Sequence, residues 1–296
     1  MPVLENDRLK VTVSDHGAEL CSVVDKATGC ERIWCADPAV WNRHAPILFP
    51  FVGKVTEGKY RIGGREYRMK TQHGFARDMD FRRVKETASS VTHRLAATDA
   101  TKEIYPYDFR LQVKHFLDPD HAELLHIEWD IENAGDTAMT YAIGGHPGFQ
   151  MPAGVKKEDC FLVFPGKERL AYFQVNKEGF ALPHQVRELT LENGCSPYLE
   201  NIPDTWIFSE QEIGTAGISL PDGKPFVTLH CEGFPLLAVW ANPKGSFICL
   251  EPWYGRTDDT GFTGSLEEKP GMQMLLPGEK KNITYSIEFH SWQIQE

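Results

Sequence analysis

Apolar and polar residues alternate along several short segments of the chain. In the clearest case, residues 125–132, every second residue is Leu, Ile or Trp and the residues between are His, Glu or Asp. A period of two places successive side chains on opposite faces of a β-strand, so this pattern indicates a strand with one buried face. The same alternation recurs at residues 9–13, 109–113 and 283–289.

Turn-forming sequences separate these segments, as at residues 133–136, 221–224 and 277–279. With 25 Gly and 19 Pro, the chain leaves little room for long helices. Many short strands joined by tight turns predict an all-β fold, an antiparallel sandwich or barrel with few short helices. No linker, composition shift or repeat divides the sequence, which predicts one domain over residues 1–296.

Composition narrows the class of protein. The chain has 296 residues and a net charge of −11, which argues against a nucleic-acid partner. No segment approaches the ~18 apolar residues that span a membrane, and the N-terminal MPVLENDRLK lacks the pattern of a signal peptide. Seven cysteines without a CxxC pair are typical of reduced thiols. These observations predict a cytoplasmic protein without membrane segments.

Two turn-rich segments contain histidines in unusual surroundings. His146 lies in GGHPGF, residues 144–149, between a glycine pair and a Pro-Gly turn. Glycines let a ligand approach the main chain closely, and histidine is suited to moving a proton near neutral pH. His73 and Arg77 lie in a similar segment, HGFARD, residues 73–78. The pattern favours proton-transfer chemistry.

A third segment supplies a carboxylate. Glu251 directly follows the apolar run of residues 247–250 and precedes Pro-Trp-Tyr. A carboxylate beside a buried strand is costly unless it is paired or used, and burial raises its pKa toward the range of a useful base. Flat aromatic rings cover the apolar faces of a pyranose, so Trp253, Tyr254 and Trp240 favour a sugar site.

Each of these residues also has a structural interpretation. His73 could satisfy backbone groups in a turn, Arg77 could form a surface ion pair, and Glu251 could be a structural carboxylate. The histidines between residues 115 and 126 match no zinc spacing, and no nucleotide-binding or serine-hydrolase motif occurs. The sequence therefore predicts no metal and no organic cofactor.

Four motifs, in order, resemble the aldose 1-epimerase, or galactose mutarotase, family, and within it the LacX-like branch. They are PILFPFVGKV (46–55), HGFARD, GGHPGF and CLEPWYG (249–255), and the resemblance extends from about residue 5 to residue 290. It implies a large antiparallel β-sandwich, the galactose mutarotase-like supersandwich, with the sugar in a cleft on one sheet. It also implies a small-molecule aldose as substrate, whose α and β anomers interconvert without a cofactor.

The resemblance also implies roles for single residues. Glu251 is similar to the family's catalytic base and His146 to its catalytic acid. His73 is similar to a second histidine that contacts the sugar near its ring oxygen, and Asp204, in PDTWIF, to a substrate-binding aspartate. Lys54 stands where the family usually has arginine. Lysine keeps the charge but loses the planar fork that grips two hydroxyls.

Three other functions stay open at this point. A hexose-6-phosphate 1-epimerase would use Arg77, with Lys54 or Arg43, to bind phosphate. A non-catalytic sugar sensor would keep the cleft, although a binder needs no acid–base pair. A polysaccharide lyase or hydrolase would need a second carboxylate near Glu251, for which Asp258 is the candidate. The sequence chooses neither the preferred aldose nor between monomer and homodimer.

Overall fold

Strands make up most of the regular secondary structure in the computed structural model, which describes residues 1–196 and 205–292. Within these ranges the helices are short: α1 (Asp99–Ile104) and the 3₁₀ helices Thr56–Gly58, Ala76–Asp78 and Lys157–Asp159. None of these helices is long and apolar enough to cross a membrane. The strands are β1 (Val3–Glu5), β2 (Leu9–Val13), β3 (Leu20–Asp25), β4 (Cys30–Glu31), β5 (Ile47–Leu48), β6 (Lys59–Ile62), β7 (Arg65–Arg68), β8 (Arg82–Glu86), β9 (Ser90–Ala96), β10 (Phe109–Leu117), β11 (Leu124–Asn133), β12 (Met139–Tyr141), β13 (Ile143–Gly145), β14 (Gly148–Gln150), β15 (Phe161–Val163), β16 (Arg169–Gln174), β17 (Arg187–Thr190), β18 (Trp206–Ser209), β19 (Thr215–Ser219), β20 (Pro225–His230), β21 (Leu236–Trp240), β22 (Phe247–Tyr254), β23 (Gln273–Leu275) and β24 (Lys280–Phe289).

Two eight-stranded sheets dominate the described fold. The first has the order β15-β19-β20-β24-β11-β10-β9-β8. The second has the order β17-β16-β18-β21-β22-β13-β5, with β14 paired to β22 outside this path. A four-stranded sheet has the order β1-β2-β3-β4, and two-stranded sheets pair β12 with β23 and β6 with β7. Neighbouring strands in both large sheets run antiparallel, so the predicted antiparallel β-sandwich is confirmed.

The main core lies between the two large sheets. On β11 the predicted alternation holds, because Leu125, Ile127, Trp129 and Ile131 are all buried and the intervening residues are partly exposed. Aromatic rings meet across the interface, with Phe149 of β14 6.5 Å from Phe289 of β24. Burying these apolar faces is the main force that joins the sheets. Buried residues of this core come from Leu4 through to Trp292, and the single domain stays a prediction.

Strand β22 is buried on both of its faces. Ile248 and Leu250 belong to the core between the sheets. Cys249, Glu251 and Trp253 alternate with them and therefore lie on the opposite, outer face of the second sheet. Trp253 and Cys249 pack there in two small apolar clusters separate from the core. The second sheet thus carries a buried outer surface in addition to its core face.

Candidate active site

A cavity of about 220 Å³ opens on this outer face of the second sheet. Residues from distant parts of the chain meet in its wall, because β22, β21, β18 and the segments beside β5 and β13 converge there. Four of the predicted site residues line it. These are His73, Arg77, His146 and Glu251, together with the indole side chains of Trp41, Trp240 and Trp253.

Glu251 lies deep in the cavity wall. Its position on β22 follows from the alternation of the strand, and only 1% of the residue is exposed. Burial raises the pKa of the Glu251 carboxyl well above its ordinary value, and the Trp253 indole acts in the opposite direction. Taking a carboxylate out of water favours its protonated form. The cavity wall therefore favours the neutral form of Glu251 over the carboxylate.

The glycine pair before His146 fits between two aromatic side chains. A Cβ on Gly144 would lie 2.5 Å from Cδ1 of Trp253, on the cavity side. A Cβ on Gly145 would lie 2.8 Å from Oη of Tyr285, on the core side. Residues without a Cβ are therefore needed at both positions, one for each face of the sheet. This packing places the His146 ring over the strand that carries Glu251.

His146 and Glu251 are in direct contact. Nε2 of His146 lies 3.3 Å from Oε2 of Glu251 without a well-aligned hydrogen bond. Neither this carboxyl oxygen nor Nδ1 of His146 has a hydrogen-bond partner among the described residues. Burial, followed by the positive charge of Arg77, lowers the pKa of His146 to about 3. The environment thus favours one proton on the pair, held by the carboxyl group.

His73 is fixed as a neutral hydrogen-bond donor. The backbone N–H of Gly53 donates to its Nδ1 over 3.1 Å, so the ring proton resides on Nε2. Burial, together with the charge of His146, lowers the pKa of His73 well below its ordinary value. The residue has φ +68°, a left-handed conformation that is uncommon outside glycine and often marks functional sites. Its ring lies 5.6 Å from that of His146.

Arg77 contributes a cation to the same cavity. Its side chain is 12% exposed, and its Nε lies 3.8 Å from Oδ2 of Asp78. That Nε has no hydrogen-bond partner among the described residues. Arg43 instead forms an ion pair with Asp78 and donates to the Arg77 carbonyl oxygen over 3.2 Å. The guanidinium of Arg77 therefore remains available to a ligand, whereas Arg43 is engaged.

Two predicted binding residues, Lys54 and Asp204, are not among the described residues that line the cavity. The ammonium of Lys54 donates to the Glu178 carbonyl oxygen over 2.6 Å. The described cavity wall includes the neighbouring Gly179 but not Lys54, whose role stays a prediction. Asp204 lies outside the described residues. Thr205, which follows it, lines the cavity.

Two of the three aromatic residues predicted for a sugar site line the cavity, and the third does not. Trp253 and Trp240 lie in the cavity wall, but Tyr254 packs on the core face, 4.9 Å from Phe234. Its hydroxyl donates to the Gly233 carbonyl oxygen over 2.7 Å. The cause is the period of the strand, since adjacent residues of β22 face opposite sides.

Trp41 is a site residue that the sequence motifs do not reveal. Its ring lies 4.8 Å from that of His146, at 31°, and 5.2 Å from that of Trp240. It belongs to a turn outside the alternating segments, so periodicity gives no signal for it. A large aromatic residue in a polar turn is the one available hint. Its ring excludes water from one side of His146.

The described residues thus form an antiparallel β-sandwich whose outer sheet face brings a histidine and a carboxyl group together among indole rings. The chain belongs to the aldose 1-epimerase family, whose model matches residues 2–190. It is 31% identical to the chromosomal protein LacX of Lactococcus lactis, over 96% of this chain and 97% of that protein. The resemblance to this family predicted from the motifs is confirmed.

Solved structures agree with this membership. A galactose mutarotase related enzyme from Lactobacillus acidophilus superposes with a TM-score of 0.91 at 30% identity, covering 98% of this chain and 97% of that one. A galactose mutarotase-like protein from Lactobacillus casei gives 0.87 at 30% identity, covering 98% and 100%. Fold and family together identify a carbohydrate epimerase.

Proposed function

We propose that the protein is an aldose 1-epimerase that interconverts the α and β anomers of a hexose by opening and reclosing the ring. The observation that carries this proposal is the 3.3 Å contact between Nε2 of His146 and Oε2 of Glu251 inside the cavity. Ring opening removes a proton from the C1 hydroxyl and delivers one to the ring oxygen. Both oxygens are bonded to C1, so the base and the acid must be neighbours.

The pair needs only one proton for a complete cycle. In the reactive form the single proton has moved from Glu251 to His146 across their contact. Glu251 as carboxylate then takes the proton of the C1 hydroxyl, and His146 as imidazolium protonates the ring oxygen while the C1–O5 bond breaks. This leaves a neutral carboxylic acid and a neutral imidazole, the form that burial favours. After the aldehyde rotates about C1–C2, His146 takes the proton of the C5 hydroxyl back and Glu251 returns its proton to the carbonyl oxygen as the ring closes. Each such group typically contributes ~10²–10⁴-fold to the rate.

The other wall residues bind and orient the sugar. Nε2–H of His73 faces the cavity as a donor that does not titrate near neutral pH, which suits a ring oxygen or a hydroxyl. Arg77 offers its planar fork to sugar hydroxyls. Trp240 and Trp253 supply flat apolar faces for the pyranose.

The engaged cations favour a free aldose over a hexose 6-phosphate. Three cationic side chains are candidates for binding a phosphate group. Arg43 forms an ion pair with Asp78, and Lys54 donates a hydrogen bond to the Glu178 carbonyl oxygen. Of the three, only Arg77 lines the cavity. Phosphate recognition generally uses several charge-assisted hydrogen bonds. A single arginine matches a neutral sugar better.

Hydrolysis of a glycan would need a second catalytic carboxylate. The candidate, Asp258, is engaged in other contacts. Asp258 is 2.6 Å from the ammonium of Lys269 in a buried ion pair, and it accepts a hydrogen bond from the Thr56 backbone N–H over 2.7 Å. It is not part of the described cavity wall. This favours an epimerase over a lyase or hydrolase.

Polarimetry tests the proposal directly. Freshly dissolved α-glucose and α-galactose should reach anomeric equilibrium faster in the presence of the protein, and exchange between anomeric NMR signals should report the same rate. The screen should include glucose 6-phosphate. A protein that binds these sugars without accelerating any of them would be a sensor, and the proposal would be wrong.

A further inference from the structure

We propose that His146, Cys249 and Glu251 also form a binding site for a thiophilic divalent cation such as Zn²⁺, and that the bound cation excludes the sugar. Each of these residues offers one ligand atom, and the three atoms lie within 4.8 Å of one another. All three residues are buried. This inference goes beyond the proposed catalytic role of the pair, because it adds Cys249 and a second kind of ligand.

The strand geometry explains why the thiol is there. Cys249 precedes Glu251 by two residues on β22, so both side chains lie on the cavity face. Cys249 is also the register partner of Gly148, which follows His146 by two residues. Two of the side chains thus come from β22, and that of His146 comes from the connection between β13 and β14, which both pair with β22. The strand positions of Cys249 and Glu251 hold their ligand atoms more rigidly than a loop would.

The distances fit tetrahedral coordination. Zinc binds nitrogen and oxygen at ~2.0–2.2 Å and sulfur at ~2.3 Å, which places neighbouring ligand atoms of a tetrahedron ~3.4 Å apart. Nε2 of His146 and Oε2 of Glu251 already lie 3.3 Å apart. The Cys249 sulfur lies within 4.8 Å of both atoms. Because His146 and Glu251 line the cavity, a fourth ligand such as water would reach the cation from there.

Unsatisfied polar atoms point to a ligand at this place. Oε2 of Glu251 and Nδ1 of His146 are buried without a hydrogen-bond partner among the described residues. Buried polar atoms are costly unless they are bonded, and a cation on the pair would satisfy the carboxyl oxygen. A thiolate and a carboxylate balance the two positive charges, so the occupied site is neutral, as a buried site requires. A soft sulfur ligand selects zinc or cobalt over magnesium and calcium.

A second group of similar composition provides a matched control. Glu19, Cys21 and His44 also place their ligand atoms within 4.8 Å of one another. There, however, the carboxylate accepts backbone N–H groups from His44 and Ala45 over 2.7 and 3.0 Å. Both bonds engage Oε1 of Glu19, so we expect this group to bind a cation more weakly. The variant Cys21→Ala removes a comparable thiol outside the cavity.

Cobalt is the direct probe, because its absorption reports both thiolate ligation and tetrahedral geometry. Adding Co²⁺ to the wild-type protein should produce a thiolate charge-transfer band and intense visible bands, and Zn²⁺ should remove both. Loss of even an outer partner of a metal site costs ~10–100-fold in affinity, so Cys249→Ala should weaken Zn²⁺ binding at least tenfold. Cys21→Ala should leave bands and affinity unchanged. The isosteric Cys249→Ser serves if Cys249→Ala does not fold.

Two results would overturn the site: the absence of a thiolate band in wild-type protein, or a band that persists in the folded Cys249 variants. In anomerisation assays Zn²⁺ should raise the KM for the sugar without lowering kcat, Mg²⁺ should have no effect, and the Cys249 variants should resist Zn²⁺. Inhibition that persists in those variants would mean adventitious binding and would also overturn the proposal. The cobalt spectrum requires no catalysis, so failure of the metal site is distinguishable from failure of the proposed enzymatic activity.

Discussion

Gly53 and His73 exchange two hydrogen bonds: the Gly53 N–H donates to Nδ1 of the ring over 3.1 Å, and the His73 N–H donates to the Gly53 carbonyl oxygen over 2.7 Å. The first bond selects the ring tautomer, and the second fixes the backbone that carries the ring. The segments PILFPFVGKV and HGFARD, which contain Gly53 and His73, are therefore joined into one structural unit. This unit orients the Nε2–H of His73 toward the cavity.

Gly53→Ala should disturb this unit. Gly53 has φ +72°, and an added Cβ would lie 2.3 Å from Cβ of Thr257, so the loop must shift. We expect destabilisation of roughly 1–3 kcal/mol, as for overpacking, and at least a tenfold loss of kcat/KM as His73 moves. Thermal unfolding and polarimetry measure the two effects. The matched control is Gly29→Ala, where φ is +71° and nothing lies within 4 Å of the added Cβ. Equal losses in both variants would refute the positional argument.

Glu251→Gln and His146→Asn should each abolish most of the anomerisation activity while the protein stays folded. The expected loss is ~10²–10⁴-fold in kcat, because each group transfers a proton in the same step. The double variant should be little worse than either single one, since residues that act as a unit are strongly non-additive. Polarimetry, with circular dichroism as the folding control, measures this. Near wild-type rates in either single variant would remove that residue from the mechanism.

The pH–rate profile should have an unusually broad plateau. The pair is active with one proton, so activity falls at low pH when a second proton adds and at high pH when the only proton leaves. Because the pKa of His146 is lowered to about 3, the acid limb should lie far below the ordinary histidine value of 6.5. Because the pKa of Glu251 is raised, the alkaline limb lies above the normal carboxyl range. These limbs belong to the pair rather than to one residue.

NMR line-shape or exchange rates, corrected for the uncatalysed reaction at each pH, give this profile. Tryptophan fluorescence at the same pH values separates titration from unfolding. An acid limb centred near 6.5 in folded protein would show that His146 is solvated in the working enzyme, contrary to this prediction.

Trp41→Ala should move the acid limb upward. Trp41 covers one side of the His146 ring, so its removal admits water and reduces the desolvation that lowers the pKa of His146. We also expect a higher KM, because an apolar wall of the cavity is lost. Trp41→Phe should restore much of both properties. An unchanged pH profile in Trp41→Ala would mean that the ring does not shield His146.

Tyr254→Phe tests which face of β22 meets the sugar. The Tyr254 hydroxyl bonds to the Gly233 carbonyl oxygen away from the cavity, so kcat and KM should stay within about twofold of wild type. Loss of the hydrogen bond should cost ~0.5–1.5 kcal/mol of stability. Chemical denaturation and polarimetry together measure this. A large rise in KM would place the tyrosine in the sugar site after all.

Local sequence determined the fold class and the chemical groups. Alternation at residues 125–132 identifies a strand because burial of one face is encoded in neighbouring residues. The motifs around His73, His146 and Glu251 were sufficient to predict the family and the candidate acid–base pair. These features depend on residues only a few positions apart, so they can be read directly from the sequence.

Only the tertiary structure decided how these groups meet. His146 and Glu251 lie 105 positions apart, and their 3.3 Å contact exists because β13 and β22 pair in one sheet. The continuous apolar run of β22 hides which residues face the cavity, so the sequence alone does not show that Tyr254 packs on the core face. Trp41 gave no periodic signal because it lies in a turn. Burial and contact between distant segments are properties of the assembled sheets, and those properties set the protonation of the pair.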